Sequence, residues 1–172
     1  MENLNMNKTI EIRQATKEDV AKIESILCDV VSWMKHHNWS NLWTKESVQW
    51  ERLSIEYQIN DFFLAFDHDD AVACMVLTDN DPTCWPQNEK GTAIYLHKLA
   101  VKRAYAGRNI SGQMIQFAKE YAIQKNIKKV CLDCNQSRTK LCAVYEKNGF
   151  EQVGCIQKRE DYFMALYQLS IK

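Results

Sequence analysis

The sequence predicts a single-domain protein of the α+β class, in which helices and strands are mixed along the chain. The chain has 172 residues, enough for one compact domain with its own core and short for two. Apolar residues make up 46% of it and charged residues 26%, as in ordinary globular proteins. Segments with strand-like and helix-like apolar spacing follow in the order β α α β β β α β α β β.

The first half of the chain predicts three strands and two helices. Ile10 and Ile12 alternate with polar residues, as in a half-buried strand. Thr16 offers a helix N-cap with Asp19 three residues on, and apolar residues keep helical spacing as far as Met34. A second, broken helix is predicted over 45–59. Strands are predicted over 62–66 and 71–77, with a hairpin turn over 67–70.

The second half predicts alternating strands and helices. The run 92–101 is long and mostly apolar, as in a central strand. Apolar residues 110, 114, 117 and 121 share one face of an amphipathic helix. Strands are also predicted over 130–134, from 150 onward and over 162–169, and a short helix over 140–148. The strand–helix–strand order implies locally parallel pairing.

Composition excludes several classes of function. The 22 Lys and Arg residues balance 22 Asp and Glu residues, whereas a sequence-independent nucleic-acid binder needs an excess of cations. No apolar run approaches the length of about 20 residues that spans a bilayer, and residues 1–8 contain no apolar stretch for a secretion signal. We therefore predict a cytoplasmic protein with no nucleic-acid and no membrane partner.

The seven cysteines predict reduced thiols, because their number is odd and most lie in apolar segments. Cys131 and Cys134 have C-x-x-C spacing, but residues three apart on a strand point to opposite faces. No second pair follows that would complete a tetrahedral site. We predict no metal centre.

The junction between the long strand and the next helix is where chemistry is expected. Gly107 and Gly112 flank polar residues as the strand leads into the helix. A helix start presents unpaired N–H groups and a partial positive charge, which suit a phosphate. Gly107 lets backbone amides turn toward such a ligand. The spacing matches neither common phosphate-loop motif, so the junction also fits a purely structural role.

Three segments together resemble the GNAT superfamily of acyl-CoA-dependent N-acetyltransferases. They are Tyr95-Leu-His-Lys-Leu-Ala-Val101, the loop 106–112, and Leu132-Asp-Cys134 followed by 141–150. The resemblance covers the chain from about residue 10 to residue 169. It implies a mixed, mostly antiparallel sheet of six or seven strands with helices on both faces, and splayed central strands at 92–101 and 130–134. It also implies acetyl-CoA as co-substrate and direct acetyl transfer to an amine.

The resemblance places the coenzyme along the central strand and the following loop. The residues that it assigns to coenzyme binding are Leu99, Ala100, Val101, Gly107, Arg108, Asn109, Ile110, Ser111, Gly112 and Arg138. Two departures stand out. Ala106, Asn109 and Ser111 occupy the positions that the family's pyrophosphate loop usually fills with Arg or Gln, Gly, and Gly or Ala. Arg138 stands where the family often has Asn.

Two residues are assigned to catalysis. Tyr145 matches the family's tyrosine before Gly-Phe and is expected to donate a hydrogen bond to the leaving thiolate. A phenol of pKa about 10 protonates a thiolate of pKa about 8.5 only uphill, so full proton transfer is optional. His97 is the candidate base, since its ordinary pKa near 6.5 lets it accept a proton at neutral pH. Strand alternation puts it on one face with Tyr95, Leu99 and Val101. The string is similar to that of the arylalkylamine N-acetyltransferases, with Tyr95 replacing the first of their two histidines.

The acceptor site is expected beside Trp33 and Tyr95. Aromatic walls can hold an amine by cation–π contact, although helix packing explains tryptophans equally well. We expect the acceptor to be a small-molecule primary amine, with a homodimer as a possible assembly. Two alternatives stay open: a coenzyme-binding or regulatory domain with little turnover, and an acetyltransferase acting on a protein N-terminus or lysine.

Overall fold

The computed structural model describes residues 10–39 and 42–172, in which seven strands form one sheet. The N-terminal segment considered for a secretion signal lies outside these residues. The sheet order is β1-β2-β3-β4-β5-β7-β6. Neighbouring strands are antiparallel except β4 and β5, which are parallel. The predicted mixed, mostly antiparallel sheet is therefore confirmed.

The strands are β1 (Glu11–Gln14), β2 (Phe62–Asp67), β3 (Asp70–Thr78), β4 (Ile94–Val101), β5 (Lys129–Asn135), β6 (Glu151–Arg159) and β7 (Tyr162–Ser170). The α-helices are α1 (Val20–His36), α2 (Trp50–Glu56), α3 (Ile110–Gln124) and α4 (Thr139–Lys147). Short 3-10 turns lie at Lys17–Asp19, Ile59–Asp61 and Arg103–Tyr105. Across the described part of the chain, no helix is both long and apolar enough to cross a membrane.

Two apolar layers cover the two faces of the sheet. Side chains of α1 and α2, such as Ile23, Leu27 and Leu53, pack on one face. Side chains of α3 and α4, such as Met114 and Cys142, pack on the other. The period-2 alternation of the strands produces this division, because successive residues point to opposite faces. Helices thus lie on both faces, as predicted.

The predicted helix over 45–59 is wrong in its extent, because α2 covers only Trp50–Glu56. Gln49 before it and Tyr57 after it are both extended. The backbone N–H of Trp50 donates to Glu24 Oε1 of α1 at 2.7 Å, so a tertiary contact fixes where α2 begins. A helical spacing of apolar residues does not contain this information.

Asp19 joins β1 to the start of α1. Its buried carboxylate accepts hydrogen bonds from the Arg13 guanidinium at 2.8 and 3.1 Å, from Lys22 Nζ at 3.0 Å and from the Thr16 N–H at 2.9 Å. The Arg13 hydrogen bonds are the main reason that the pKa of Asp19 lies well below its ordinary value. Charge-assisted bonds of this kind are among the stronger ones in proteins.

We expect Asp19→Asn to lower the free energy of unfolding by about 2 kcal/mol at pH 7, because a hydrogen-bonded charge is lost. The native pKa is lowered, so the carboxylate stabilises the fold fully above the unfolded pKa of about 4. That contribution is lost as the pH falls through the native pKa. Urea denaturation at pH 7 and pH 3 measures both effects.

The control is Asp61→Asn. Asp61 accepts a similar backbone hydrogen bond from Gln58 at 2.8 Å but has no cationic partner among the described residues. Its substitution should cost less than half as much as that of Asp19. Equal costs for the two variants would contradict the role given to the ion pairs.

Candidate active site

The central strands β4 and β5 pair only where they begin. Their parallel register contains Ile94 opposite Val130 and Tyr95 opposite Cys131, and no later pair in the described residues. Beyond this point the strands diverge, as predicted, and a cavity of about 1360 Å³ opens between their C-terminal halves. It is larger than the roughly 300–1,000 Å³ of most single-ligand pockets, so it has room for two substrates.

A β-bulge in β4 changes which of its side chains point to each face of the sheet. Lys98 has a positive φ of 52°, and the register with β3 shifts between Cys74 and Val76. Such a backbone conformation costs a non-glycine residue about 1–2 kcal/mol. The bulge adds a residue to β4, so the alternation of side chains reverses beyond it.

The predicted common face of His97, Leu99 and Val101 is therefore wrong. His97 lies opposite Val76, which belongs to the layer under α1 and α2. Leu99 and Val101 pack instead in the layer under α3 and α4. Local alternation could not show this, because the bulge is set by pairing with β3.

The imidazole of His97 contacts the hydroxyl of Thr78. Its Nε2 lies 3.3 Å from Thr78 Oγ1, and the single hydroxyl hydrogen of Thr78 is donated to the Asn80 carbonyl oxygen at 3.2 Å. With the hydroxyl hydrogen donated to Asn80, Thr78 Oγ1 accepts from Nε2–H, and Nδ1 is then the basic nitrogen. The ring of Tyr57 lies 5.6 Å away. Burial lowers the pKa of His97, so the imidazole is neutral at pH 7.

Three further polar groups lie near His97, and the sequence analysis assigned none of them to the site. The side-chain ligand atoms of Asp81, Cys84 and Asp133 all lie within 4.8 Å of one another. Such a set could offer oxygen and sulfur atoms to a cation. Without a cation, burial raises the pKa of the Cys84 thiol to about 12, so the thiol is protonated. The negative charges of Asp81 and Asp133 act to favour the protonated form of His97.

Tyr145 projects from α4 into the same cavity. Its ring contacts Phe150 at 5.9 Å and Tyr167 at 6.1 Å between centroids. Burial raises the pKa of Tyr145 above its ordinary value, so the phenol keeps its proton. Within residues 10–39 and 42–172 no protein group forms a hydrogen bond with this hydroxyl, which leaves it available to a ligand.

The loop before α3 lies at the open end of the cavity. Gly107 and Asn109 both have left-handed backbones, with φ of 79° and 55°. Asn tolerates this conformation better than other side chains do, and it fills the place of the family's glycine. The first bond within α3 runs from the Gln113 N–H to the Asn109 carbonyl oxygen. The preceding N–H groups of the helix start can therefore bind an anion.

The structure does not bring every predicted site residue to the cavity. Tyr95 is buried in a separate cluster with Trp85, and its hydroxyl accepts a hydrogen bond from Asn88 Nδ2 at 3.0 Å. Arg108 lies over the Tyr105 ring and 3.5 Å from Asp67 Oδ2, and does not line the cavity. The residues predicted for the site that do line it are Trp33, His97, Leu99, Ala100, Val101, Gly107, Asn109, Ile110, Ser111, Arg138 and Tyr145.

The geometry agrees with comparisons to known proteins. Residues 21–150 match the model of the acetyltransferase (GNAT) family. The chain belongs to this family. An uncharacterized N-acetyltransferase, YesJ of Bacillus subtilis (strain 168), is 26% identical over an alignment of 148 residues that covers 81% of this chain and 81% of that protein. The predicted family and the prediction of an N-acetyltransferase are thus confirmed.

Solved structures of GNAT proteins share the fold. A GNAT-family acetyltransferase from Listeria monocytogenes 4b F2365 has a TM-score of 0.73 at 25% identity, covering 94% of this chain and 95% of that one. The PaiA N-acetyltransferase of Thermoplasma acidophilum, solved in complex with coenzyme A, has a TM-score of 0.72 at 19% identity over 94% and 99% of the two chains. The predicted GNAT-like fold is confirmed.

Substitutions at Asn109 and Gly112 should have coupled effects on the free energy of unfolding. A Cβ atom built at Gly112 would overlap the Asn109 side chain. Alanine is better than glycine in a helix by about 1 kcal/mol, so Gly112→Ala should stabilise an Asn109→Gly background by about that amount. In the native background the overlap should cancel or reverse the gain. Urea denaturation of the four proteins gives the coupling free energy, which would be near zero if the two side chains were independent.

Proposed function

We propose that this GNAT protein transfers the acetyl group of acetyl-CoA to the primary amine of a small molecule. One observation carries the proposal: the cavity between β4 and β5 is lined both by the neutral imidazole of His97 and by the phenol of Tyr145, which has no hydrogen-bond partner among the described residues. His97 belongs to β4 and Tyr145 to α4. They match the two needs of acyl transfer, a proton acceptor for the amine and a donor for the thiolate.

The coenzyme is proposed to lie along β4 with its pyrophosphate at α3. From Leu96 onward, β4 has no ladder pairs with β5 among the described residues. Backbone groups buried without partners are costly, and the amide groups of a pantetheine arm can pair with those of Leu99 to Val101. The positive start of α3 and the left-handed turn at Gly107 and Asn109 suit the phosphates. The PaiA N-acetyltransferase, which shares this fold, was solved in complex with coenzyme A, and this supports coenzyme A as the class of ligand.

The reaction is a direct transfer in which a C–N bond forms and a C–S bond breaks. The amine nitrogen attacks the thioester carbonyl carbon, and its proton passes to Nδ1 of His97 directly or through water. The thiolate leaves with its electron pair while the Tyr145 hydroxyl donates a hydrogen bond to it. The raised pKa of Tyr145 favours hydrogen bonding over complete transfer of the proton.

Aromatic side chains support a small-molecule acceptor. Trp33, Trp39, Trp43 and Tyr57 all line the cavity on the α1 and α2 side of the sheet. The Trp33 and Trp39 rings meet edge to face at 4.5 Å, so they form a wall with a fixed shape. A wall of this kind can hold an ammonium group or an apolar body. The acidic groups Asp81 and Asp133 add attraction for a protonated amine.

Acetyl-CoA should raise the melting temperature of the protein, and Tyr145→Phe should keep that shift while lowering kcat. A ligand at 100 times its Kd stabilises by about 2.7 kcal/mol. Loss of a hydrogen bond to a developing charge costs about 1.5–3 kcal/mol, or about tenfold to a hundredfold in rate. The matched control Tyr121→Phe, on α3 outside the cavity, should leave kcat unchanged. The absence of a shift with millimolar acetyl-CoA would overturn the proposed function itself.

His97→Gln should lower kcat about a hundredfold or more, as expected for loss of a general base. Burial lowers the pKa of His97, so the neutral base persists below pH 6.5 and kcat falls only as the pH drops through that lowered value. This acid limb should disappear in the variant. Thr78→Val, which removes the acceptor for Nε2–H but keeps the imidazole, should cause a smaller loss. A pH–kcat profile that is identical in all three proteins would rule out His97 as the base.

A further inference from the structure

Two arginines flank one tryptophan in the cavity, and neither has a role in the proposed transfer step. The guanidinium carbon of Arg103 lies 3.7 Å from the centre of the Trp33 ring. That of Arg138 lies 5.9 Å from the same ring and 4.8 Å from the ring of Trp39. Arg103 follows β4 and Arg138 precedes α4, so the pair stands on opposite sides of the opening between the strands.

Neither guanidinium has an anionic partner within the described residues. Arg103 Nε is buried and has no hydrogen-bond partner there. The Arg138 side chain makes one polar contact, from Nη1 to the Met34 sulfur at 3.2 Å, and sulfur is a weak acceptor. Both side chains are half-buried, and a cation that loses part of its hydration without gaining a counter-charge is destabilised. Burial and the charge of Arg103 both lower the pKa of Arg138, so the two cations also repel each other.

The position of the pair separates it from the loop proposed for the coenzyme phosphates. Both arginines contact tryptophans at the end of α1, on the face of the sheet to which His97 projects. The start of α3 belongs to the opposite face, where Ile110 is buried in the other apolar layer. Arg103 contacts the Trp33 ring and Arg138 contacts the Trp39 ring. A guanidinium group that lies over an aromatic ring can still bind oxygen atoms at its edge.

We propose that Arg103 and Arg138 bind an anionic group of the acceptor, a carboxylate or a phosphate, so that the substrate carries both an amine and an anion. This proposal rests on the proposed function and specifies its substrate class. An anion between the two guanidinium groups would satisfy buried donors and relieve their repulsion. Its amine would then reach toward His97 on the same face. Amino acids and O-phosphoethanolamine are the simplest molecules of this class.

The first test measures binding and needs no turnover. The protein with coenzyme A is melted in the presence of each standard α-amino acid and of O-phosphoethanolamine. Each is compared with the matched amine that lacks the anionic group, such as lysine with cadaverine. At least one anionic molecule should raise the melting temperature by several degrees more than its matched amine. A response to amino acids identifies a carboxylate as the preferred anion, and a response to O-phosphoethanolamine identifies a phosphate. If no anionic molecule binds better than its matched amine, the proposal is overturned.

The second test measures kinetics in Arg103→Gln and Arg138→Gln. Each should reduce the preference for the anionic acceptor by about tenfold or more through a higher KM, since charge-assisted hydrogen bonds are lost. The KM for acetyl-CoA should not change. Arg103→Lys and Arg138→Lys keep the charge and should show part of the loss even where a Gln variant folds poorly. Lys125→Gln removes a cation from the Tyr121 ring outside the cavity and should change nothing.

The outcomes separate the two proposals. If the Gln variants raise the KM for acetyl-CoA and leave acceptor preference unchanged, the arginines serve the coenzyme and the present proposal is wrong. If wild-type protein binds acetyl-CoA and acetylates only amines without an anionic group, the proposed function stands and the acceptor class is wrong. If acetyl-CoA itself does not bind, the proposed function fails, while the first test still decides whether the pair binds an anion.

Discussion

The parting of β4 from β5 is the constraint on which the rest of the site depends. After Tyr95 the two strands share no further register pairs, and the sheet is kept intact by antiparallel pairing of β4 with β3 and of β5 with β7. The opening exposes one edge of each strand, and α3 and α4 both begin at its wide end. Backbone groups at such an edge need partners, so a polar, extended ligand is the natural complement to this part of the fold.

Much of the fold could be predicted because apolar periodicity is local. All seven strands and the positions of α1, α3 and α4 follow from it, and the family resemblance supplied their arrangement. The extent of α2 could not be predicted, since the Glu24 carboxylate fixes its start. The prediction that His97 shares a face with Leu99 and Val101 failed for a similar reason. Lys98 adopts a left-handed conformation that no sequence pattern around it requires. Asp133 and Arg103 were missed because only tertiary structure brings them to the cavity.

The departures of this chain from the family pattern have physical counterparts in the structure. Asn109 takes up the left-handed turn usually given to glycine, and its side chain fills the space over Gly112. Arg138, in the place of the usual Asn, contacts tryptophan rings rather than a carboxylate. The first change preserves the backbone that a phosphate needs. The second replaces a neutral amide by a cation, and therefore changes what the cavity attracts.

The charges beside His97 match the positive charge that develops there in the proposed reaction. As the amine proton moves to His97, a positive charge forms where Asp81 and Asp133 already favour it. As the C–S bond breaks, the Tyr145 hydroxyl can donate to the thiolate, because burial and the charge of Asp133 keep this phenol protonated against the opposite effect of Arg138. Charges fixed in advance on a rigid scaffold stabilise a transition state without reorganisation at the moment of reaction. The cavity also contains both signs of fixed charge, so the amine of the proposed acceptor is drawn to Asp81 and Asp133 and its anion to Arg103 and Arg138.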